Sequence, residues 1–279
     1  MSGTLYLVAT PIGNLGDFSP RAVAALEEAD FIAAEDTRVS MKLLNHFGIK
    51  KPLVIYHQHN HVTAGRAVLN RLLEGETCAL VTDAGTPAVS DPGEELVKLC
   101  AEHDVPVLSI PGCCALISAL AVSGLPTGRF TFEGFLSVNR KSRREHLQSL
   151  LCESRTMIFY EAPHKLQATL ADLYSAFGDR RITLCREITK LHEETRRTTL
   201  AQAVAYYQET APKGEFVLVV EGAAPVEKAA VTLEEGVRLV LARREAGERM
   251  KDAVRRVSAD TGLNKNELYQ AALGASQEA

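Results

Sequence analysis

Short apolar runs alternate with segments whose apolar residues recur every third or fourth position in the first part of the chain. This alternation predicts β-strands that are each followed by a helix, and hence a mainly parallel sheet covered by helices on both faces. The predicted strands are residues 4–9, 31–34, 53–56, 77–82 and 105–110. The predicted helices are residues 20–29, 40–47, 64–73, 93–102 and 114–123.

The pattern stops at the Gly/Pro-containing segment 123–128 and then starts again. The second set of predicted strands is 130–135, 156–160, 182–186 and 215–221, with helices at 143–151, 165–177 and 200–208. After a Gly-Ala-Ala-Pro segment, the pattern is helical at 233–244, 251–261 and 265–273. We therefore expect an α/β protein with domains at 1–123 and 124–225 and a helical tail at 231–279.

The tail has the spacing of a helix-turn-helix module, with Gly262 at a helix C′ position and Asn264 at an N-cap. Its acidic and basic residues are mixed, so its electrostatic signature for nucleic acid is weak. A helical cap on the second domain is an equally open interpretation.

The composition is that of an ordinary globular protein, with 279 residues, 46% hydrophobic, 24% charged and a net charge of -4. The mild acidity argues against general binding of nucleic acid but allows a local basic patch. Six cysteines without CxxC spacing indicate reduced residues of a cytoplasmic protein. The N-terminus predicts a first strand rather than a signal peptide, and no apolar stretch has membrane-spanning length.

Four predicted strands end in loops of unusual composition, at residues 9–14, 35–38, 81–93 and 110–112. Strands of a parallel sheet place these loops on one edge, where such sheets bind ligands. Gly-rich loops allow a ligand to approach the backbone closely. The sequence has no GxGxxG after a strand and no GxxxxGK[ST], so neither a classical dinucleotide site nor a P-loop is expected.

Several blocks carry a specific resemblance, among them ATPIGNLGDFSPRA, AAEDTR, YHQHN, VTDAGTPAVSDPG, FEGFL, FYEAPHKL and REITK. Together they resemble the ribosomal-RNA small-subunit methyltransferase I family of the tetrapyrrole-methylase superfamily. The resemblance implies two α/β domains with S-adenosylmethionine in the cleft between them. It also implies 2′-O-methylation of a cytidine in the decoding region of 16S rRNA, with 16S rRNA or the small ribosomal subunit as the partner, and a cytoplasmic homodimer.

The resemblance also assigns the residues that contact the methyl donor. By position in the matching blocks they are Pro11, Val81, Thr82, Asp83, Val89, Cys114, Ala115 and Glu161. The family commonly has Pro-Ser where this chain has Cys113-Cys114. Both replacements are small and can start a helix, but a hydroxyl hydrogen bond at that position is lost.

A ribose hydroxyl is a poor nucleophile, so a nearby base or cation would assist its methylation. The candidates for a base are Asp83, Glu35, Asp36 and Glu161, and the sequence does not rank them. Positioning of acceptor and donor in line is the alternative source of catalysis, and no metal is expected.

Two segments are candidates for contact with RNA. The first is the histidine segment after the third strand, with His57, His59 and Asn60, where alternating His57, His59 and His61 also permit a less favoured zinc interpretation. The second is the basic run 139–144, with Lys141, Arg143 and Arg144, for which a solvated helix start is the alternative.

Two other functions remain open at this point. A methylase of porphyrin-type precursors has the same expected fold. A non-catalytic RNA-binding assembly factor could retain a donor pocket. The basic run and the helical tail favour RNA over a porphyrin precursor.

Overall fold

The computed structural model describes residues 2–224 and 231–276. The chain forms two compact units, Met1–Ala223 and Ala224–Ala279. The predicted end of the second domain at residue 225 and the last tail residues, 277–279, lie outside the described residues.

The first sheet is wholly parallel, as the sequence predicts, with strand order β3-β2-β4-β1-β5. Its strands are β1 (Leu5–Val8), β2 (Phe31–Ala34), β3 (Leu53–Ile55), β4 (Cys78–Val81) and β5 (Val107–Ile110). The helices that follow them are α1 (Pro20–Glu28), α2 (Thr37–His46), α3 (His61–Leu73), α4 (Glu94–Glu102) and α5 (Ala115–Ser123). Continuous apolar runs form β2 and β4 because both of their faces are buried.

Two apolar cores lie on opposite faces of this sheet. One includes Leu26 and Leu44 from α1 and α2, and the other includes Leu72 and Leu96 from α3 and α4. Helix α5 differs, because it packs against the second sheet. The two sheets thus share one compact unit, and the predicted division between residues 123 and 124 stays a prediction.

The second sheet has strand order β6-β7-β10-β8-β9, and only β6 and β7 are parallel. Its strands are β6 (Phe130–Phe135), β7 (Thr156–Glu161), β8 (Arg181–Arg186), β9 (Glu194–Thr199) and β10 (Phe216–Val220). The second sheet is therefore mixed, unlike the first. Strand β9 was not predicted, because its sequence ETRRTT has no apolar alternation.

One face of the second sheet is covered by α6 (Arg140–Ser149), α7 (Pro163–Phe177) and α8 (Leu200–Glu209). Helix α6 begins three residues before its predicted start at residue 143. The Asn139 side chain accepts hydrogen bonds from the N–H groups of Lys141 and Ser142, and this N-cap fixes the earlier start.

A β-bulge interrupts β6 between Phe132 and Gly134. Phe132 pairs with Ile158 of β7, but the next paired residue is Gly134, which has a φ of 64°. The extra residue restores Phe135 to the sheet face of Phe132, opposite Tyr160.

A short antiparallel bridge joins two loops of the otherwise parallel first sheet. The Thr10 N–H donates to the Gly85 carbonyl over 2.8 Å, and the Gly85 N–H donates to the Thr10 carbonyl over 3.1 Å. The loops after β1 and β4 are thereby tied to each other.

The second unit contains α9 (Leu233–Glu245), α10 (Met250–Thr261) and α11 (Lys265–Ala275), close to their predicted bounds. Gly262 has a φ of 75° at the end of α10, and the Asn264 side chain caps α11, as predicted. Its buried side chains form a core of their own: Val240, Ala253, Val254, Val257, Leu268 and Ala272. Across the described part of both units, no helix is long and apolar enough to cross a membrane.

Candidate active site

A cavity of about 310 Å³ lies where the loops after β1, β4 and β5 meet the second sheet. Ile12, Val89 and Ala115 contribute apolar walls from the first sheet's loops and from α5. Tyr160 and Val217 contribute walls from β7 and β10. The volume falls in the range of ligand sites, and the cavity lies at the sheet edge that the sequence predicts.

The cavity contacts half of the residues predicted to bind the methyl donor. Val89, Cys114, Ala115 and Glu161 line it. The remaining predicted residues, Pro11, Val81, Thr82 and Asp83, do not line it. Pro11 and Asp83 directly precede the lining residues Ile12 and Ala84, and Val81 and Thr82 lie just before Asp83 at the end of β4. All eight assignments stay predictions.

The loop after β4 has two features that suit a bound molecule. Gly85 lines the cavity with a φ of 90°, a conformation that favours glycine and brings bare backbone to the cavity wall. The hydroxyl of Thr82 is buried and has no hydrogen-bond partner. A buried polar group without a partner is uncommon and is satisfied when a ligand or water reaches it.

The carboxylates of Glu35 and Asp83 accept hydrogen bonds that join the loops after β2 and β4. The Asp36 N–H donates to Asp83 Oδ1 over 3.1 Å, and the Asp83 N–H reaches Glu35 Oε2 at 3.5 Å, the outer limit for a hydrogen bond. Burial raises the pKa of both Glu35 and Asp83. Neither side chain lines the cavity, so these two candidates for a base lie beside it.

The Asp36 side chain makes its contacts within its own turn. Its side chain caps α2 by accepting from the Arg38 N–H over 2.8 Å, and it pairs with the Arg38 guanidinium at 2.6 Å. Hydrogen bonds from Arg38 lower the pKa of Asp36 to about 2. A carboxylate with so low a pKa is a weak proton acceptor, so this geometry argues against Asp36 as the base.

Glu161 lines the cavity, but its carboxylate is already engaged. The residue is 3% exposed, Oε1 accepts from the Ala162 N–H over 2.8 Å, and Oε2 accepts from the Thr169 hydroxyl. These bonds hold the start of α7 against the end of β7. The contacts favour a positioning role for Glu161 over that of a base.

Asp91 is one of three acidic cavity residues, with Glu187 and Glu215, that sequence reasoning missed. It lines the cavity, and its carboxylate has no hydrogen-bond or ion-pair partner among the described residues. Burial, with added repulsion from Glu35 and Asp83, raises its pKa to about 6. The flanking loop has left-handed backbone at Ala88 and Ser90, with φ of 65° and 67°. Such conformations are costly for residues other than glycine and cluster at functional sites.

Lys190 brings the positive charge to the cavity wall. Its Nζ lies 2.9 Å from both Glu187 Oε1 and Glu215 Oε2. Burial lowers its pKa, but these hydrogen bonds and charges outweigh burial, so its pKa is raised and the ammonium is maintained. Glu187 and Thr189 have left-handed backbone, with φ of 51° and 68°. The REITK block contains this residue, but nothing in its pattern singled out Lys190.

The histidine segment is a turn, not a continued strand. His59 N–H donates to His57 Nδ1 over 3.2 Å, and His61 opens α3. The Asn60 side chain accepts from His57 N–H and donates to the Ile55 carbonyl, which occupies both of its ends. The prediction that the three alternating histidines lie on one face of an extended strand is therefore wrong.

No group of three or more His, Cys, Asp or Glu side chains within 2–224 and 231–276 is arranged to hold a metal ion. The histidine segment also lies outside the cavity wall. Contact of His57, His59 and Asn60 with RNA stays a prediction.

The predicted basic run lies on α6, away from the cavity wall. Arg143 is 16% exposed and pairs with Asp172 of α7 at 2.6 Å. Lys141 and Arg144 are exposed, and Lys141 lies 3.9 Å from Glu145. Arg140, Arg143 and Arg144 border a groove between α6 and α7. Arg143 thus forms a short ion pair with α7, whereas Lys141 and Arg144 are exposed surface charges, Lys141 with Glu145 as a distant partner.

Cys114 forms the N-cap of α5 without a side-chain cap bond. Helix α5 begins at Ala115, one residue after its predicted start, and the hydroxyl bond that a serine could make at the N-cap is missing. Burial raises the pKa of the neighbouring Cys113 thiol, so it remains protonated near neutral pH.

Comparison with known proteins agrees with this geometry. Residues 4–204 match the family model of tetrapyrrole (corrin/porphyrin) methylases, and residues 232–276 match the model described as the RsmI C-terminal HTH domain. Among solved structures, diphthine synthase aligns with a TM-score of 0.60 at 16% identity, covering 79% of this chain and 90% of that chain. A Thermus thermophilus uroporphyrin-III-C-methyltransferase aligns with a TM-score of 0.54 at 20% identity, covering 78% and 94%. Likeness at these identities shows the fold alone.

The match over residues 4–204 shows that the chain belongs to the tetrapyrrole (corrin/porphyrin) methylases, and the fold agrees with it. Relatives of higher identity show the particular family within this class. The ribosomal RNA small subunit methyltransferase I of Synechocystis is 50% identical over 97% of this chain and 98% of its own length. The protein of that name in Pseudomonas aeruginosa is 45% identical over 98% and 97%. The chain belongs to the ribosomal RNA small subunit methyltransferase I family, which confirms the resemblance found in the sequence.

Proposed function

We propose that this protein transfers the methyl group of S-adenosylmethionine to the RNA of the small ribosomal subunit. The acceptor we propose is the 2′-hydroxyl of a cytidine ribose in the decoding region of 16S rRNA. The observation that carries the proposal is the near full-length identity to relatives that bear the name ribosomal RNA small subunit methyltransferase I. The cavity at the carboxyl edge of the first sheet supports it independently.

The cavity residues fit the chemistry of the donor. S-adenosylmethionine carries a positively charged sulfonium whose methyl group is electrophilic. Ile12, Val89 and Ala115 offer an apolar surface for an adenine ring. Acidic groups at and beside the cavity, Asp91 and Asp83, favour positive charge there.

We propose Asp91 as the proton acceptor for the ribose hydroxyl. Three other carboxylates line the cavity, and each is occupied: Glu161 by two hydrogen bonds, Glu187 by Lys190 and the Glu215 N–H, and Glu215 by Lys190. Asp91 can therefore take the proton without breaking an existing contact. Its pKa of about 6 leaves it ionised at neutral pH yet more basic than an ordinary aspartate.

The experiment is methyl transfer from radiolabelled donor to RNA of cells that lack the protein. Assembled small subunits and naked 16S rRNA should be compared as acceptors. A 2′-O-methyl group blocks alkaline cleavage at one nucleotide, so the labelled position can be mapped directly. Label that enters a base, or no label on either acceptor, would contradict the proposed reaction.

The same assay separates the two alternatives. A methylase of a porphyrin-type precursor would label that precursor and leave RNA unlabelled. A non-catalytic assembly factor would bind the donor and the subunit without transfer. The relatives' names and the match of residues 232–276 to a helix-turn-helix model favour RNA.

We further propose that the protein acts in the cytoplasm as a homodimer. This rests on the family resemblance, because no apolar stripe in the sequence identifies an interface. Light scattering at micromolar concentration tests it, and a monomeric mass would contradict it.

A further inference from the structure

The bulge in β6 gives Phe135 an unusual position. Regular alternation would place Phe135 on the opposite face of the sheet from Phe132, because the two are three residues apart. The extra residue and the left-handed Gly134 return it to the same face, in register with Tyr160. Its ring lies 5.5 Å from the Tyr160 ring, edge to face. Bulges are known to re-aim side chains beside active sites.

The aromatic ring of Phe135 lines the donor cavity, yet the residue is 55% exposed. Its neighbour Tyr160 is fixed more firmly, because the Tyr160 hydroxyl accepts a hydrogen bond from the Leu116 N–H and the ring packs against the core around α5. Phe135 thus has one side supported by Tyr160 and one side open to solvent at the cavity mouth. Leaving so much of an aromatic side chain in water forgoes burial that would stabilise the fold.

We propose that the open side of Phe135 stacks on the base of the nucleotide whose ribose is methylated. This inference rests on the proposed function, because it requires RNA as the acceptor. A ribose that reaches the cavity brings its base to the cavity mouth. Unstacked bases of single-stranded RNA are commonly held on aromatic side chains. Phe135 is the aromatic cavity residue with a largely open ring among the residues described.

The donor's adenine is the competing occupant, and the position of Phe135 argues against it. The residues that we propose for the adenine ring, Val89 and Ala115, come from the loop after β4 and from α5, whereas Phe135 lies at the end of a strand in the second sheet.

The test uses Phe135→Leu, which keeps apolar bulk without an aromatic ring, and Phe135→Trp, which keeps a ring. With small subunits from cells lacking the protein, Phe135→Leu should lower kcat/KM for the acceptor by about ten- to a hundredfold. Phe135→Trp should retain most of the activity. Donor affinity by calorimetry should be unchanged in both. Tyr174→Leu is the matched control, because Tyr174 is 43% exposed on α7 and does not line the cavity.

The chain contains no tryptophan, so Phe135→Trp also introduces a single fluorescent reporter. Stacking on a base should quench its emission when the acceptor is added, while Tyr174→Trp should keep its emission. Equal activity of Phe135→Leu and wild type, or a parallel loss of donor affinity, would overturn the inference. If wild-type protein labels no RNA at all, the proposed function fails first, and that result is distinct from either of these.

Discussion

Oδ1 of Asp83 accepts a hydrogen bond from the Asp36 N–H over 3.1 Å, and this contact holds the ends of β2 and β4 together. Asp83→Ala should therefore weaken binding of S-adenosylmethionine while the thermal fold is largely kept. Asp83→Asn, which retains Oδ1 as an acceptor, should keep more of the affinity. Calorimetric titration of the donor measures both variants.

Asp36→Ala is the matched control for this prediction. It removes the α2 N-cap and so lowers stability, but it leaves the backbone N–H that Asp83 uses. Its donor affinity should remain close to wild type. Unchanged affinity in Asp83→Ala would remove Asp83 from the donor site.

The proposed role of Asp91 predicts a pH dependence. The ionised carboxylate is the active form, so kcat/KM should fall as the pH drops through about 6. The titratable groups that interact with Asp91 are Glu35, Asp83 and Tyr160. Repulsion from the Glu35 and Asp83 carboxylates adds to burial in raising the pKa of Asp91. Asp91→Asn should lower kcat by about 10²- to 10⁴-fold and abolish the acidic limb. A pH–rate profile between 5 and 8 measures both, and an active variant with the same limb would exclude Asp91 as the base.

The same residue should be unfavourable for folding. Its folded pKa of about 6 lies above the ordinary value of 3.8, so ionisation disfavours the folded state. This destabilisation is absent below pH 3.8 and complete above about pH 6. Asp91→Asn should therefore raise Tm above pH 6 and leave it unchanged in acid. Glu94→Gln, an exposed change on α4, should show no such difference.

Substitutions of the basic residues of α6 should have two different effects, according to how each side chain is paired. Lys141→Ala with Arg144→Ala should weaken RNA binding without a change in stability. The slope of log affinity against log salt should fall by about 0.7–0.9 for each RNA phosphate that the variant no longer neutralises. Arg143→Ala should instead lower stability, because it leaves Asp172 unpaired. Filter binding across salt concentrations measures the first effect, with Arg66→Ala and Lys98→Ala, exposed charges on α3 and α4, as the control.

The tail has its own apolar core, so its removal should leave the α/β unit folded. Deletion of residues 231–279 should keep donor affinity and weaken binding to the small subunit. Calorimetry and thermal unfolding of the truncated chain test both statements. A chain that unfolds would show that the tail is a structural cap, the interpretation that the sequence left open.

The elements of the first sheet could be predicted from sequence because buried parallel strands have continuous apolar runs. Strand β9 could not, since it lies at the edge of its sheet and carries ETRRTT. The pairing direction of β10 was also invisible, because an apolar run such as FVLVV does not encode whether its neighbours run parallel or antiparallel.

At the site, the sequence points to the loops that border the cavity but does not distinguish between their carboxylates. Asp83 and Asp91 belong to the same block and have no distinguishing pattern. Only their surroundings separate them, because Asp83 is tied to Asp36 and Asp91 lines the cavity without a partner among the described residues. The bulge that aims Phe135 at the cavity likewise depends on pairing with β7, which local sequence does not contain.

The bridge between Thr10 and Gly85 restricts the mobility of the loops after β1 and β4. Glycine- and proline-containing loops of this kind are ordinarily mobile, and ordering them on binding costs conformational entropy. Here two backbone hydrogen bonds already order them, so that entropy is lost when the chain folds and not when the donor arrives. The wall at which we propose that the donor binds is therefore preorganised, and the amides of Thr10 and Gly85 should exchange with solvent as slowly as those of the neighbouring strands.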